Sequence, residues 1–224
     1  MPDTAILIRR ETPADYRAVE ELTRSAFWNH HVPGCCEHYL MHQLRADESF
    51  VPELSLVAEQ GGKIVGAIAY TKARISGDDG CSHDVLSFGP ISVLPALQRK
   101  GVGRLLIERS AALAAALGHR AVLIYGDPDY YCRFGFVPAS EYGIATHDDC
   151  YAAALLALEL VPGALRHCTG RFSEAAVYDV DEAAAEEFDR TFPPLEKKSG
   201  LSTQARFLTL VTLRTPRGCA APNQ

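Results

Sequence analysis

Apolar positions near the start of the chain recur at three- and four-residue steps. After the run Ile6-Leu7-Ile8, Thr12 and Pro13 form an N-cap and first-turn signature with Asp15 behind them, which predicts a helix to about Phe27. Its inward positions are Tyr16, Val19, Leu22 and Phe27, and the pattern assigns Arg17, Glu20, Glu21 and Arg24 to solvent. A second amphipathic helix is predicted over 37–45, with Tyr39, Leu40 and Leu44 inward. The period then shortens. Segments 54–59 and 64–75, rich in apolar and β-branched residues, flank Gln60-Gly61-Gly62-Lys63 and predict a β-hairpin. A strand over 85–93 ends at Leu94-Pro95, a helix over 102–117 stops at Gly118, and the unbroken apolar run 121–125 suits a central strand, so the three form a βαβ unit. Further strands are predicted over 152–160 and near 175–180, with a helix capped by Asp181 running to about Phe188. Beyond Lys197-Lys198-Ser199-Gly200, read as a linker, weak alternation at Phe207, Leu208, Leu210, Val211 and Leu213 predicts one edge strand in a tail that decays after Pro216.

With 224 residues, 47% hydrophobic and 22% charged, the chain has the composition of an ordinary folded protein. Its 22 Lys and Arg against 28 Asp and Glu leave a net charge of −6, which offers no basic footprint for nucleic acid or an anionic membrane. The longest apolar stretch, 151–158, stops at Glu159 and is less than half the roughly 20 residues that cross a bilayer; the first residues hold no signal-peptide core. A soluble, cytoplasmic protein is the expectation. Seven cysteines, an odd count without Cys-x-x-Cys spacing, read as free thiols. His30, His31, Cys35, Cys36 and His38 lie close together but match no closed zinc motif, so no metal is expected.

The chemistry concentrates in one strand-loop-helix junction, Ile91-Ser92-Val93-Leu94-Pro95-Ala96-Leu97-Gln98-Arg99-Lys100-Gly101-Val102-Gly103-Arg104. Gly101 and Gly103 let backbone N–H groups approach a ligand, the helix start aims partial positive charge at the same place, and Arg99, Lys100 and Arg104 add cations to it. That combination is an anion site, suited to a pyrophosphate. The Walker pattern is absent, and a dinucleotide fingerprint would need its third glycine where Leu106 stands. Gln98-x-x-Gly101-x-Gly103, preceded by Val93-x-Pro95, resembles instead the acetyl-coenzyme A loop of the GNAT superfamily of N-acetyltransferases. Tyr130-Tyr131-Cys132-Arg133-Phe134-Gly135-Phe136 is similar to the aromatic-Tyr-x-x-x-Gly-Phe element of the same superfamily, and with Gly126-Asp127-Pro128-Asp129 it looks closer still to a bacterial subgroup of predicted N-acetyltransferases. The resemblance covers about 6–137 and continues more loosely to about 197.

The resemblance implies an α+β fold: a mixed, mostly antiparallel twisted sheet flanked by helices, whose fourth and fifth strands splay apart. One domain would occupy 1–197, with a C-terminal extension from about 140, leaving 198–224 as linker and tail. Acetyl-CoA is the implied co-substrate, its pantetheine arm bonding to the backbone of Ile91, Ser92 and Val93, and its pyrophosphate meeting the loop Gln98, Arg99, Lys100, Gly101, Val102, Gly103 and Arg104. An amine of a small molecule, protein or peptide would attack the acetyl group directly, a backbone N–H near Val93 would polarise the carbonyl, and Tyr131 would protonate the departing thiolate. Tyr130 would pack, and Cys132, with no His placed beside it, is read as an inert thiol. The loop 28–34 would belong to an acceptor-side lid. No general base is identified: Asp84, His83, Ser87 and Glu37 are the candidates near the implied site. A non-catalytic acyl-CoA-binding or sensing module is the alternative, a redox or metal role for the His/Cys group is a third reading, and the superfamily's frequent dimers leave a homodimer open.

Overall fold

A computed structural model describes residues 5–219. The strands are β1 (Leu7–Arg10), β2 (Leu56–Gln60), β3 (Lys63–Gly77), β4 (Ser82–Val93), β5 (Ala121–Tyr125), β6 (Val137–Pro138), β7 (Ile144–Ala145), β8 (Cys150–Ala152), β9 (Leu155–Glu159), β10 (Gly170–Ser173) and β11 (Arg214–Pro216). The α-helices are α1 (Tyr16–Phe27), α2 (Glu37–Leu44), α3 (Val102–Ala116), α4 (Pro128–Tyr131), α5 (Glu182–Asp189) and α6 (Ser202–Thr212). The main sheet runs β1-β2-β3-β4-β5-β9-β6, with β10 on the far half of β3 and β7 beside β10, while β11 and β8 form a separate pair. Among the described residues only β4 with β5 and β10 with β7 pair in parallel.

The expected hairpin is β2-β3, closed at Gln60↔Lys63. Side chains alternate across the sheet as a period of two requires. Ile68, Tyr70, Leu86, Phe88, Val122 and Ile124 pack on one face beneath Val102, Leu106 and Ile107 of α3. Val57, Ala67 and Ala69 pack on the other face against Val19 and Leu22 of α1 and Leu40, Met41 and Leu44 of α2. The Tyr70 hydroxyl is buried 2.8 Å from Ser110 Oγ, a polar tie between the sheet and α3.

Two charged positions assigned to solvent are inside. Glu20 bonds Arg45 at 2.7 Å, Arg45 also bonds Glu11 at 2.7 Å, and Arg24 forks onto Asp189 at 2.6 and 3.1 Å. The helical period correctly finds the apolar stripe, but α2 and α5 cover the flanks of α1 as well, and buried charges persist there because each is paired.

Three further expectations are corrected. Residues near 175–180 hold a short 3-10 turn, Ala176–Tyr178, and the strand precedes it at Gly170–Ser173. A Cβ on Gly170 would stand 2.2 Å from the Ser76 carbonyl oxygen, so this strand closes on β3 where no side chain fits, and its one large apolar residue, Phe172, gives no alternation to read. The segment 152–160 is interrupted after Ala152, so β8 and β9 are separate strands. Residues 202–212 are a helix rather than an edge strand, and the short strand follows it as β11, antiparallel to β8. Residues 198–219 are tied to the rest of the fold: the buried Gln204 amide donates to the carbonyls of Asn29 and Lys198, and Arg217 pairs with Asp78. Residues 220–224 of the predicted tail lie outside the described residues.

Candidate functional site

A β-bulge opens the centre of the sheet. Ile68 pairs with Ile91 and Tyr70 with Phe88, so Gly89 and Pro90 of β4 together oppose Ala69 of β3. An extra residue bends its strand and ends pairing locally, and a proline in a central strand is tolerated where its missing N–H is not needed. β4 and β5 are bridged at Leu86↔Val122 and diverge beyond it, as the sequence comparison implied.

Beyond the bulge the ladder with β3 fixes which backbone groups face the split. Leu94 N–H donates to the Val65 carbonyl at 2.9 Å, and the pairs Gly66↔Val93 and Ala67↔Ser92 follow in register. Antiparallel pairs alternate between hydrogen-bonded and non-bonded. The N–H and C=O of Ser92 therefore turn to β3, and those of Ile91 and Val93 turn to the split. Ser92 also bonds Thr23 Oγ1 through its side chain at 2.9 Å, so of the three backbone positions expected to meet a pantetheine, Ser92 has its own groups engaged elsewhere. Gln98 Nε2 reaches the Val93 carbonyl at 3.3 Å and ties the following loop to the strand end.

That loop delivers α3 with an open N-terminus. Gly101, at φ +90, is the N-cap and has no side chain to cap the helix. Val102, Gly103 and Arg104 begin the first turn, where N–H groups have no intrahelical acceptor, and no other acceptor reaches them among the described residues. Arg99 also has a positive φ of 60, which turns the chain just before the cap. Gly103 has a different reason to lack a side chain: a Cβ there would stand 2.6 Å from the Tyr130 hydroxyl. The loop and the split together make a cradle for a long ligand with a pyrophosphate at one end.

Tyr131 stands at the inner end of this cradle. Its ring packs on Phe88, Phe136 and Tyr130 at centroid distances of 5.9, 5.7 and 4.9 Å, and it fills the space a side chain would need at Gly126. Burial, with smaller contributions from Tyr130 and Tyr70, raises the Tyr131 pKa well above the usual phenol range. The hydroxyl has no hydrogen-bond partner among the described residues and is an intact proton donor near neutrality. Tyr130 packs against Phe134 and Gly103 as expected, and Cys132 is exposed.

On the face opposite α3 lies a cavity of about 1230 Å³. It is bounded by the end of β5 (Tyr125, Gly126), by Thr146, His147 and Asp148, by Phe172 and the segment 173–176, by His30 and His31, and by one side of α6. His30 and His31 of the loop 28–34 therefore border this cavity. Glu174 projects into it. Its carboxylate accepts a hydrogen bond from Ser87 Oγ at 3.3 Å, and burial pushes its pKa up to about 7, only partly offset by that bond. Ser87 follows the last β4-β5 bridge directly, so Glu174 lies where the cavity meets the split. Beside it Tyr178 donates to the Gly89 carbonyl at 3.2 Å and bonds Thr71 Oγ1 at 3.3 Å, holding the bulge.

Sequence reasoning missed Glu174. A single acid after Phe172-Ser173 belongs to no motif, and only the fold carries it to Ser87. Of the four named candidates only Ser87 is at this place, as the partner of Glu174; Asp84 is exposed and 3.9 Å from Arg74, His83 pairs across from Ile75 toward the outer end of β4, and Glu37 binds His31 and the Cys36 N–H. The His/Cys group resolves into packing. Cys35 Sγ is 3.4 Å from His38 Nδ1, and His38 Nε2 is 3.1 Å from Asp189, yet burial raises the Cys35 pKa far above that of a free thiol and lowers that of His38, so the row supplies no thiolate. Among the described residues no group of His, Cys, Asp and Glu is arranged to hold a metal ion, and no helix is long and apolar enough to cross a membrane.

Comparisons with known proteins meet this geometry from outside. The family model for the acetyltransferase (GNAT) domain matches residues 52–138, which run from β2 through α3 to Pro138. A solved GNAT family acetyltransferase from Brucella melitensis, in complex with acetyl-CoA, is 30% identical and superposes with a TM-score of 0.64 over 79% of this chain and 99% of its own. The chain belongs to the GNAT family of acetyltransferases. The uncharacterized N-acetyltransferase YhbS of Escherichia coli K12 is 28% identical over 166 residues, 74% of this chain and 93% of YhbS. The YhbS crystal structure, in complex with CoA, superposes with a TM-score of 0.71 over 80% of this chain and 95% of that one, at 26% identity. The mixed, mostly antiparallel sheet flanked by helices is the GNAT fold.

Proposed function

We propose that the protein transfers an acetyl group from acetyl-CoA to a primary amine, with the reaction centred on the split between β4 and β5. The observation that carries this reading is the combination of an uncapped α3 N-terminus with the backbone edges of Ile91 and Val93 turned to the split of the same strand-loop-helix unit, while Glu174, which lines the cavity on the other face, bonds Ser87 of that strand. The GNAT membership and the CoA-bound relatives support the choice of acyl donor.

Acetyl-CoA would bring an acyl group activated as a thioester. The N–H groups of Gly101, Val102, Gly103 and Arg104, with the side chains of Arg99, Lys100 and Arg104, would hold its pyrophosphate, while Ile91 and Val93 hold the pantetheine. Ser92 orients the strand through Thr23, and Gln98 fixes the loop to Val93.

An amine reaches the site protonated at neutral pH and must lose a proton before its nitrogen lone pair can attack. Glu174, with a pKa of about 7, accepts that proton directly or through a water. As the nitrogen-carbon bond forms, the Val93 N–H donates to the carbonyl oxygen that gathers negative charge. The carbon-sulfur bond breaks, the sulfur takes the Tyr131 hydroxyl proton, and the nitrogen's second proton passes to solvent. Tyr131 then regains a proton from solvent and Glu174 releases its own, so that amide, CoA thiol and one net proton are formed.

Release of CoA thiol in the presence of a panel of primary amines tests the assignment. Amine-dependent thiol release by the wild type is expected, together with product amide by mass spectrometry. Tight acetyl-CoA binding without acceleration by any amine would instead identify an acyl-CoA-binding or sensing module. The protein is expected to act in the cytoplasm, and sedimentation at micromolar concentration would decide between monomer and homodimer.

A further inference from the structure

The cavity that Glu174 lines is roofed on one side by the C-terminal segment. Thr203, Arg206, Phe207 and Leu210 stand at i, i+3, i+4 and i+7, so one side of α6 faces the cavity along the helix. This side is fastened at several points. Arg206 bonds Asp127 at 2.8 Å and Asp129 at 2.6 Å, Phe207 stacks on His31 with a centroid distance of 4.7 Å, and Arg214, just beyond the helix, bonds Asp148 at 2.6 Å.

The roof changes what can approach Glu174. An extended polypeptide presenting a lysine or its own N-terminus needs an open groove for the residues on either side of the amine. Here α6 occupies that side, and its anchors grip the end of β5 and the loop around Asp148. The cavity beneath it, about 1230 Å³ and open on one side, has room for a small molecule. Its charge is also asymmetric. Arg206 and Arg214 are already paired with Asp127, Asp129 and Asp148, whereas Glu174 bonds only Ser87 and Asp179 has no ion-pair partner among the described residues. Apolar surface from Tyr125, Phe172, Phe207 and Val211 lines the remainder.

We infer that the acceptor is a small-molecule primary amine with an apolar body, bound whole beneath α6 with its ammonium group toward Glu174 and Asp179, and that polypeptide amines are excluded. The inference rests on the acetyl-transfer reading and narrows its substrate class.

The full-length protein would be assayed for CoA-thiol release with 2-phenylethylamine, tryptamine, an unblocked decapeptide and an N-terminally blocked lysine peptide. Binding of 2-phenylethylamine would be followed by calorimetry, and stabilisation by acetyl-CoA recorded on the same preparation. The small amines are expected to exceed both peptides in kcat/KM by at least about tenfold, the cost of one poorly accommodated group. Val211→Trp and Ala176→Trp, each a lining position that can carry a larger side chain into the cavity, should weaken 2-phenylethylamine binding by about tenfold or more and leave stabilisation by acetyl-CoA unchanged. Two variants on different walls guard against a folding defect in either. Peptides accepted as well as small amines, or no turnover and no binding of either small amine by a protein that acetyl-CoA stabilises, would overturn this inference alone. Absence of stabilisation by acetyl-CoA would overturn the acetyl-transfer reading and this inference with it.

Discussion

Ser87 Oγ lies 3.3 Å from the Glu174 carboxylate, and this bond joins the strand that opens the sheet to an acid of the neighbouring cavity whose pKa burial raises. The two residues are far apart in sequence. Their meeting depends on β10 pairing with the far half of β3 and on the chain then crossing β4 through the turn Ala176–Tyr178.

Glu174→Gln should lower kcat/KM by about 10²–10⁴, the usual contribution of a positioned base, without weakening acetyl-CoA binding. In the wild type kcat/KM should rise as pH increases through about 7, because the carboxylate must be ionised to take a proton. The Ser87 bond favours the ionised form, so Ser87→Ala should move the inflection upward. A pH–rate profile on the three proteins checks both statements; an inflection unchanged in Glu174→Gln would remove Glu174 from the reaction.

The same residue should cost stability. Its folded-state pKa of about 7 exceeds the ordinary 4.5, so between these values the folded protein binds more protons than the unfolded chain. Stability therefore falls as pH rises from about 4.5 to about 7 and is then level with respect to this group. Glutamine carries no charge to desolvate. Denaturant unfolding should find Glu174→Gln more stable than wild type at pH 8, by on the order of 1–3 kcal/mol, with the difference vanishing toward pH 4.5.

Tyr131→Phe removes only a hydroxyl that has no hydrogen-bond partner among the described residues. Folding stability should change by less than about 0.5 kcal/mol, and acetyl-CoA binding should persist, because the Phe88, Phe136 and Tyr130 packing is kept. Amine-dependent kcat should fall by about 10²-fold or more, as expected for a proton donor. Steady-state kinetics separate the two effects: a raised KM for acetyl-CoA at unchanged kcat would make Tyr131 a binding residue.

Gly101 and Gly62 are a matched pair of tests. Each has a positive φ, +90 and +75, and at each a Cβ would meet nothing within 4 Å. Alanine at either site should destabilise by about 1–2 kcal/mol through backbone strain alone. Only Gly101→Ala should also weaken acetyl-CoA binding, by about tenfold, because only it disturbs the N–H groups at the start of α3. Equal binding in both variants, measured by calorimetry, would separate the loop from the coenzyme.

The two halves of the site differ in how far they could be read from sequence. The half proposed for the coenzyme is local: Val93, Gln98, Gly101 and Gly103 lie in one strand-loop-helix run and Tyr131 in the short helix after the next strand, and the two glycines are required by the backbone, which leaves a spacing behind. The acceptor half is assembled from distant segments. Glu174 follows a strand whose glycine, Gly170, is dictated by contact with Ser76, and α6 contains enough threonine and β-branched residues at 203, 209, 211 and 212 to resemble a strand locally. Its helix is settled by the cavity-facing row of Arg206, Phe207 and Leu210 and by the buried Gln204. The buried Glu20 and Arg24 were hidden for the same reason, since their partners Arg45 and Asp189 come from other elements.

Thermal unfolding with and without acetyl-CoA tests the central claim most directly. At about 100 times its dissociation constant a ligand stabilises by about 2.7 kcal/mol, which for a chain of this length raises Tm by about 5–10 °C. The coenzyme assignment predicts that shift with acetyl-CoA and with CoA, and none with NAD. An unchanged Tm with acetyl-CoA would contradict it, leaving the uncapped start of α3 as a turn without a ligand.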